Sequence, residues 1–318
     1  MSDRFIGIDV GGTKIATARL EGGRLSEAHL QTTECDSQDR LVEQLVDTIE
    51  HARDGGARAV GIGVPSVIEF ATGRVRSSVN IPCENLELRT LLSERVGMPV
   101  YVENDASCAA LAEAFADGRI AVENLVMFTV GTGVGGGLVL NGRLYRGATG
   151  AAAEVGHTLV ALDLTDGAPA EPGRHPQPGS LEALASGRAL DQLAREAAER
   201  EPDSFLGRRA AERAVDGHDV VDGARAGDAG AQRALRILGE RLGIGIANAI
   251  NLFDPDEVVI GGGVSRAGDL LLEPARDTAL RHVVPGCGTR TEIRLARHGQ
   301  RAGVLGAALI AAQEEETR

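Results

Sequence analysis

Short apolar runs and amphipathic stretches alternate along the chain, and each change of period marks an element. Residues 5–10 form an apolar run with β-branched members, Gly11 and Gly12 break it, and residues 15–20 resume it, which predicts strand, turn, strand. Gly22 and Gly23 supply a second turn. The order returns with a strand at 125–130, a glycine turn at 131–137 and a strand at 138–140, before Asn141 and Gly142 turn the chain again. The two segments, DVGGTKIATARLEGGRL and TVGTGVGGGLVLNGRL, predict an internal repeat. Between them, Leu41, Leu45, Val46 and Ile49 fall at helical spacing within 40–53, and 88–96 is a second amphipathic helix. Strands are predicted at 59–63, 99–103 and 257–260. Further helices are predicted at 106–115, 181–201, 229–253, 270–282 and 303–315, and 165–179, with four prolines, is a loop. Strands alternating with helices place the chain in the α/β class.

Composition narrows the functional classes. With 318 residues, 43% hydrophobic, the chain can fill two cores of ordinary size, which excludes disorder and collagen. The formal charge of -13 gives no general attraction to phosphate backbones or anionic lipid, so neither nucleic acid nor membrane is an expected partner. The longest apolar stretch, 125–140, is interrupted by five glycines, and residues 1–8 lack a signal-peptide pattern. A soluble cytoplasmic protein is expected. Cys35, Cys83, Cys108 and Cys287 are scattered without a CxxC pair, which suits reduced thiols.

The candidate chemistry lies in the glycine clusters and a few carboxylates. A P-loop is excluded, because Lys14, the chain's only lysine, follows Thr13 rather than glycine. Gly131, Gly133 and Gly136 satisfy GxGxxG, but the segment runs on as strand where a dinucleotide fingerprint opens into a helix. Glycine hairpins can present backbone N–H groups in a concave turn, which suits triphosphate oxygens, and the third cluster at 261–263 follows a strand in the same way. A lysine in a chain that otherwise uses arginine fits a need for a compact ammonium. Asp9, at the end of the first strand, is placed to hold Mg²⁺ through water. Asp105 stands at a strand-to-helix junction, where it is either a helix cap or a general base. Glu154, His157 and Glu182 could hold adjacent hydroxyl groups, or be surface carboxylates and a satisfied histidine.

Six motifs carry a resemblance. DVGGTK at 9–14, ENDA at 103–106, GTGVGGG at 131–137, AAEVGH at 152–157, LEALASG at 181–187 and IGGGVS at 260–265 resemble, in order, the ROK family (repressors, open reading frames and sugar kinases), nearest its bacterial glucokinase-like branch. The resemblance implies an actin-like, hexokinase-type ATPase fold of two α/β domains with mixed sheets and a central cleft. The smaller domain would be 1–120 plus a C-terminal helix at about 300–318, and the larger 121–299. It implies ATP-dependent phosphorylation of a hexose hydroxyl, glucose to glucose 6-phosphate, with Mg²⁺. Asp105 would be the catalytic base, and Asn104, Glu154, His157 and Glu182 the sugar ligands. Gly11, Gly12, Thr13, Lys14, Gly131, Thr132 and Gly133 would hold the phosphates, and Gly262 and Gly263 the adenosine side. A homo-oligomer, dimer or tetramer, is implied as well.

The chain also departs from the family pattern. The family's CxCGxxGC zinc cluster, completed by the histidine matching His157, is absent: Gly173, His175 and Ser180 stand where three cysteines would, so no structural zinc is expected. Ser66 replaces a glycine, and VNIPCENL around Asn80 is less aromatic than usual. With the first strand predicted to begin at Phe5, the winged helix of the family's repressors is not expected. The alternatives are a kinase for N-acetylmannosamine, N-acetylglucosamine, fructose or mannose, or a catalytically silent sugar sensor.

Overall fold

The computed structural model describes residues 4–53, 56–78, 80–165, 167 and 175–317. In chain order the elements begin with β1 (Arg4–Val10), β2 (Lys14–Glu21), β3 (Arg24–Leu25), β4 (His29–Thr32), α1 (Gln38–Ala52) and β5 (Ala57–Val64). Short strands β6 (Ile68–Glu69), β7 (Arg74–Ser77) and β8 (Glu84–Glu87) lead to α2 (Leu88–Val96), β9 (Val100–Asn104) and α3 (Asp105–Glu113). Next come β10 (Phe115–Ala116), β11 (Arg119–Ile120), β12 (Leu125–Val130), β13 (Val134–Leu140) and β14 (Arg143–Leu144). The helices α4 (Leu181–Ala185), α5 (Gly187–Arg200), α6 (Phe205–Glu212), α7 (Gly217–Arg225) and α8 (Ala229–Phe253) follow. The chain finishes with β15 (Glu257–Gly261), α9 (Asp269–His282), β16 (Glu292–Leu295) and α10 (Ala302–Glu316).

These elements form two compact units. The first comprises Met1–Leu125, Gly137–Ala153 and Arg297–Arg318, and the second Val126–Gly136 and Glu154–Ala296.

The first unit is built on a mixed sheet in the order β3-β2-β1-β5-β9, with β4 also paired to β2. β1 runs antiparallel to β2 and parallel to β5, which runs parallel to β9. Because strand side chains alternate, Ile6, Ile8 and Val10 share one face and meet Leu41, Leu45 and Ile49 of α1 and Leu88 and Leu92 of α2 in a buried core. The other face is cut down to glycine. A side chain at Gly7 would strike the Val304 carbonyl, one at Gly61 the Ala307 carbonyl, and one at Gly306 the Cys108 carbonyl, so α10 lies directly on β1, β5 and α3. Asp9 shares that face, and its carboxylate rests against Gly303 in the first turn of α10.

The second unit's sheet follows the order β14-β13-β12-β15-β16, with β15 and β16 parallel. Its β13 passes into the first unit at Gly137. This order repeats β3-β2-β1-β5-β9 strand for strand, so the repeat in the sequence is a repeat of topology. The hairpin turns match too: Gly22 and Gly23 have φ of 54 and 77, Asn141 and Gly142 of 53 and 72, the paired positive φ of a tight hairpin.

Two expectations are corrected. The glycine turn predicted at 131–137 ends at Gly133, and 134–137 are strand, because Gly137 must pass under Ala110 and the Ala106 carbonyl of α3. The helix predicted at 181–201 is broken at Ser186, which closes α4 and caps α5 by accepting from the Ala189 N–H. Of the loop predicted at 165–179, residues 166 and 168–174, including Gly173, lie outside the described residues.

Candidate active site

In the first unit the candidates gather at the ends of β1 and β9. Asn104 is the N-cap of α3: its Oδ1 accepts from Ser107 N–H at 3.0 Å, and its Nδ2 donates to the Ser66 carbonyl and to Asp105 Oδ1, both at 3.2 Å. The cap is therefore Asn104, and Asp105 is left free of that duty. Asp105 Oδ1 also accepts from Ala106 N–H at 2.8 Å, so this oxygen takes both the Ala106 and the Asn104 donors. Burial lifts its titration above the usual carboxylate range, against the pull of the Ala106 and Asp105 N–H groups and of Asn104.

The Asp9 side chain makes no hydrogen bond or ion pair to the described residues. Burial raises its pKa from 3.8 to about 6, the Asp105 carboxylate adds to the rise, and Lys14 opposes it. A carboxylate raised by burial and by a second carboxylate, with no hydrogen-bond donor to its side chain among the described residues, suits a hydrated divalent cation. Lys14 and Thr13 are exposed, and the Lys14 ammonium donates to Gln300 Oε1 at 3.3 Å. The turn ahead of them is held by Gly11 N–H to the Lys14 carbonyl at 2.9 Å and Thr33 Oγ1 to the Gly11 carbonyl at 2.7 Å. The N–H groups of Gly12 and Thr13 make no hydrogen bond to the described residues.

Ser66, a departure from the family pattern, has a clear local role. Its hydroxyl donates to the Ser77 carbonyl at 2.5 Å, while its own carbonyl takes the Asn104 amide. The serine thus ties the chain after β5 to β7 and to the start of α3.

The second unit gathers the remaining candidates around Val134. The Val134 N–H donates to Glu182 Oε2 at 2.8 Å, and a side chain at Gly156, between Glu154 and His157, would strike the Val134 carbonyl. Gly133 abuts the same Glu182 carboxylate. Glu182 therefore braces the loop of Gly131, Thr132 and Gly133. His157 Nε2 lies 3.7 Å from Glu154 Oε2, and its ring meets His175 edge to face at 5.3 Å between centroids. Leu181 N–H donates to the Thr158 carbonyl at 2.9 Å, which ties the start of α4 to the turn carrying His157.

Behind the loop lies a pocket of 560 Å³, lined by Gly131, Thr132, Gly187, Arg188, Gly217 and Gly263 among others. Its walls are close-set: Gly187 N–H donates to the Gly131 carbonyl at 2.7 Å, and Gly262, at φ 84, leaves no room for a side chain beside Val130. The volume suits a nucleoside. A larger groove of 730 Å³ beside β2 and α1 is lined by side chains of both signs, such as Arg19, Glu43 and Asp47, and by none of the candidates.

Each unit thus brings its own candidates together. Arg188, Asp191 and His218 of the 560 Å³ pocket escaped the sequence reading, because no spacing motif marks them. Glu103 stands in the ENDA motif, but the motif gave it no role. The family's zinc does not fit the described residues. His157 and His175 form a single pair, Ser180 is buried and caps α4 by accepting from Ala183 N–H, and among the described residues no group of three or more His, Cys, Asp or Glu could hold a metal. No described helix is long and apolar enough to cross a membrane.

The profile of the ROK family matches residues 5–314. The chain is 34% identical to a glucokinase of Halalkalibacterium halodurans, covering 100% of this chain and 98% of that protein. Among solved structures it resembles a ROK hexokinase from Thermus thermophilus, with 34% identity, TM-score 0.79 and coverage of 99% of this chain and 100% of that one. It also resembles a ROK family glucokinase from Streptomyces griseus in complex with glucose and AMPPNP, with 33% identity, TM-score 0.76 and coverage of 98% and 99%.

Proposed function

This chain belongs to the ROK family and has its actin-like, hexokinase-type ATPase fold, and from that premise we propose that it is an ATP-dependent hexose kinase that converts glucose to glucose 6-phosphate. The observation that carries the reading is the Asp105 carboxylate, held at Oδ1 by Asn104 and Ala106 at the start of α3 and raised in basicity by burial. That is what a general base for a sugar hydroxyl requires.

In the reaction, Asp105 accepts the proton of the 6-hydroxyl as that oxygen bonds to the γ-phosphorus of ATP. The bond from the γ-phosphorus to the β-bridging oxygen breaks, and ADP leaves. Asn104 holds Asp105 in place, and its cap bond sets the start of α3. The N–H groups of Gly12 and Thr13, unbonded among the described residues, and the loop of Gly131, Thr132 and Gly133 braced by Glu182, are suited to phosphate oxygens. Gly263 lines the pocket that suits the nucleoside, and Gly262 precedes it in the turn after β15. Glu154, His157 and Glu182 offer acceptors and a ring nitrogen to the remaining sugar hydroxyls. Mg²⁺, held by Asp9 through water, would neutralise charge on the phosphates. Lys14 adds a mobile point charge.

The test is sugar-dependent ADP release from Mg-ATP across glucose, mannose, fructose, N-acetylglucosamine and N-acetylmannosamine, with Asp105→Asn alongside. The reading expects glucose to stimulate turnover in the wild type and not in the variant. Stimulation by a different sugar alone reassigns the substrate. Binding of a hexose by calorimetry without ADP release from any sugar identifies a silent sensor and overturns the kinase.

A further inference from the structure

The loop that follows β14 carries a guanidinium in a setting uncommon for loop residues. Arg146 Nε donates to Glu103 Oε2 at 2.6 Å, and a terminal nitrogen lies 3.1 Å from Glu314 Oε1 on α10. The guanidinium carbon stands 3.5 Å from the centre of the Phe70 ring. One cation therefore meets two carboxylates and an aromatic face. The Glu103 side chain is only 3% exposed, and its other oxygen, Oε1, accepts the Asn104 N–H at 2.9 Å. The loop's own backbone is also fixed: Ala152 N–H donates to the Arg146 carbonyl at 3.2 Å, and Gly150, at φ 83, abuts the Ile68 carbonyl.

A buried ion pair is a poor way to gain stability, since apolar side chains of equal volume often serve as well. What a planar guanidinium adds is orientation, because its donors sit in a fixed fork. Here the oriented group is Glu103, and the group that Glu103 holds is the peptide entering Asn104 and Asp105. Turning that peptide would swing the Asp105 carboxylate away from its line of approach. Burial pushes the Glu103 carboxyl up and Arg146 pulls it back, so loss of the cation would favour the neutral acid and leave Oε2 without the donor that fixes it.

We infer that Arg146 is a positioning residue for phosphoryl transfer, aiming Asp105 through the Glu103 carboxylate and the Asn104 peptide. The inference rests on the hexose kinase reading. Arg146 does not touch the reacting atoms, and its effect is confined to the chemical step.

The test compares Arg146→Met, Arg146→Lys and the neutral pair Arg146→Met with Glu103→Gln in steady-state kinetics on the sugar panel and in thermal melts. The expected result for Arg146→Met is a kcat about tenfold to a hundredfold lower, the loss that follows from a small misplacement of a catalytic group, with KM for sugar and ATP within about threefold of wild type. Arg146→Lys should recover part of kcat, since it restores the charge without the fork. The neutral pair should melt close to the wild type and stay slow. Recovery of kcat together with the melting temperature in the neutral pair would make the ion pair a structural prop and overturn the inference. So would an Arg146→Met variant that melts early but turns over normally. Absence of turnover in the wild type on every sugar fails the kinase reading itself and takes the inference with it.

Discussion

Asp9 carries an electrostatic cost that the proposed role in holding Mg²⁺ would explain. Its pKa in the fold is about 6 against an ordinary value of 3.8, so the folded chain holds this proton more tightly than the unfolded chain does. The stability from that proton is fully present below 3.8 and is lost as the pH rises through 6. Asp9→Asn should therefore be more stable than the wild type at pH 7.5 without Mg²⁺, by up to about 3 kcal/mol, and the difference should vanish at pH 4, as urea unfolding at the two values would show. The same variant should lose Mg-ATP turnover. Asp105 is raised in the same direction, so the acid limb of kcat/KM should lie above the usual carboxylate range. Asp105→Asn should lower kcat by about a hundredfold or more while calorimetry still records sugar binding. DVGGTK and ENDA named both residues in the sequence. What the letters hid was which of Asn104 and Asp105 is the cap, because both residue types cap helices well.

At the scale of elements, contacts without side chains decide the geometry. α10 reaches β1, β5 and α3 because Gly7, Gly61 and Gly306 each place bare backbone at a carbonyl. Gly61→Ala should destabilise by about 1–3 kcal/mol or more in urea unfolding, since the obstruction is main chain and cannot turn aside. Two neighbouring glycines give a sharper contrast. Gly262, at φ 84, is blocked by Val130, whereas a methyl at Gly263 meets nothing within 4 Å. Gly262→Ala should lower the melting temperature and Gly263→Ala should leave it unchanged. Hydrophobic period made α1, α2 and α8 legible through their recurrent buried positions, and apolar runs made β1 and β5 legible, because both faces of these strands are covered. It misplaced the turn after Gly131 and ran α4 into α5. A strand of glycines has no pattern to read, and the serine that separates the two helices acts through a single backbone bond.

The whole molecule is a duplicated plan on a chain that crosses between its units four times. It leaves the first at Leu125, returns at Gly137, leaves at Ala153 and returns at Arg297. Neither unit is one continuous segment, so removing one end of the chain should cost a unit its core. α10 is the plainest case: Ala302 and the run from Val304 to Ala311 are buried on every side of the helix. A chain ending at residue 296 should be insoluble or lack a cooperative thermal transition, measured by circular dichroism.

The sequence alone determined the α/β class, the repeat and the family, because these depend on local period, on glycine turns and on motifs of adjacent residues. It also named Asp105, Asn104, Asp9, Glu154, His157 and Glu182. Tertiary structure decided which oxygen of Asp105 takes the Asn104 and Ala106 donors, that Glu182 braces the glycine loop at Val134, and that Asp9 lies opposite Gly303 of α10. It alone brought Arg146 to Glu103, residues far apart in the chain and in no shared motif. The physical reason is that hydrogen bonding and desolvation depend on distances across the fold, and sequence spacing reports distance only within one strand or one turn of helix.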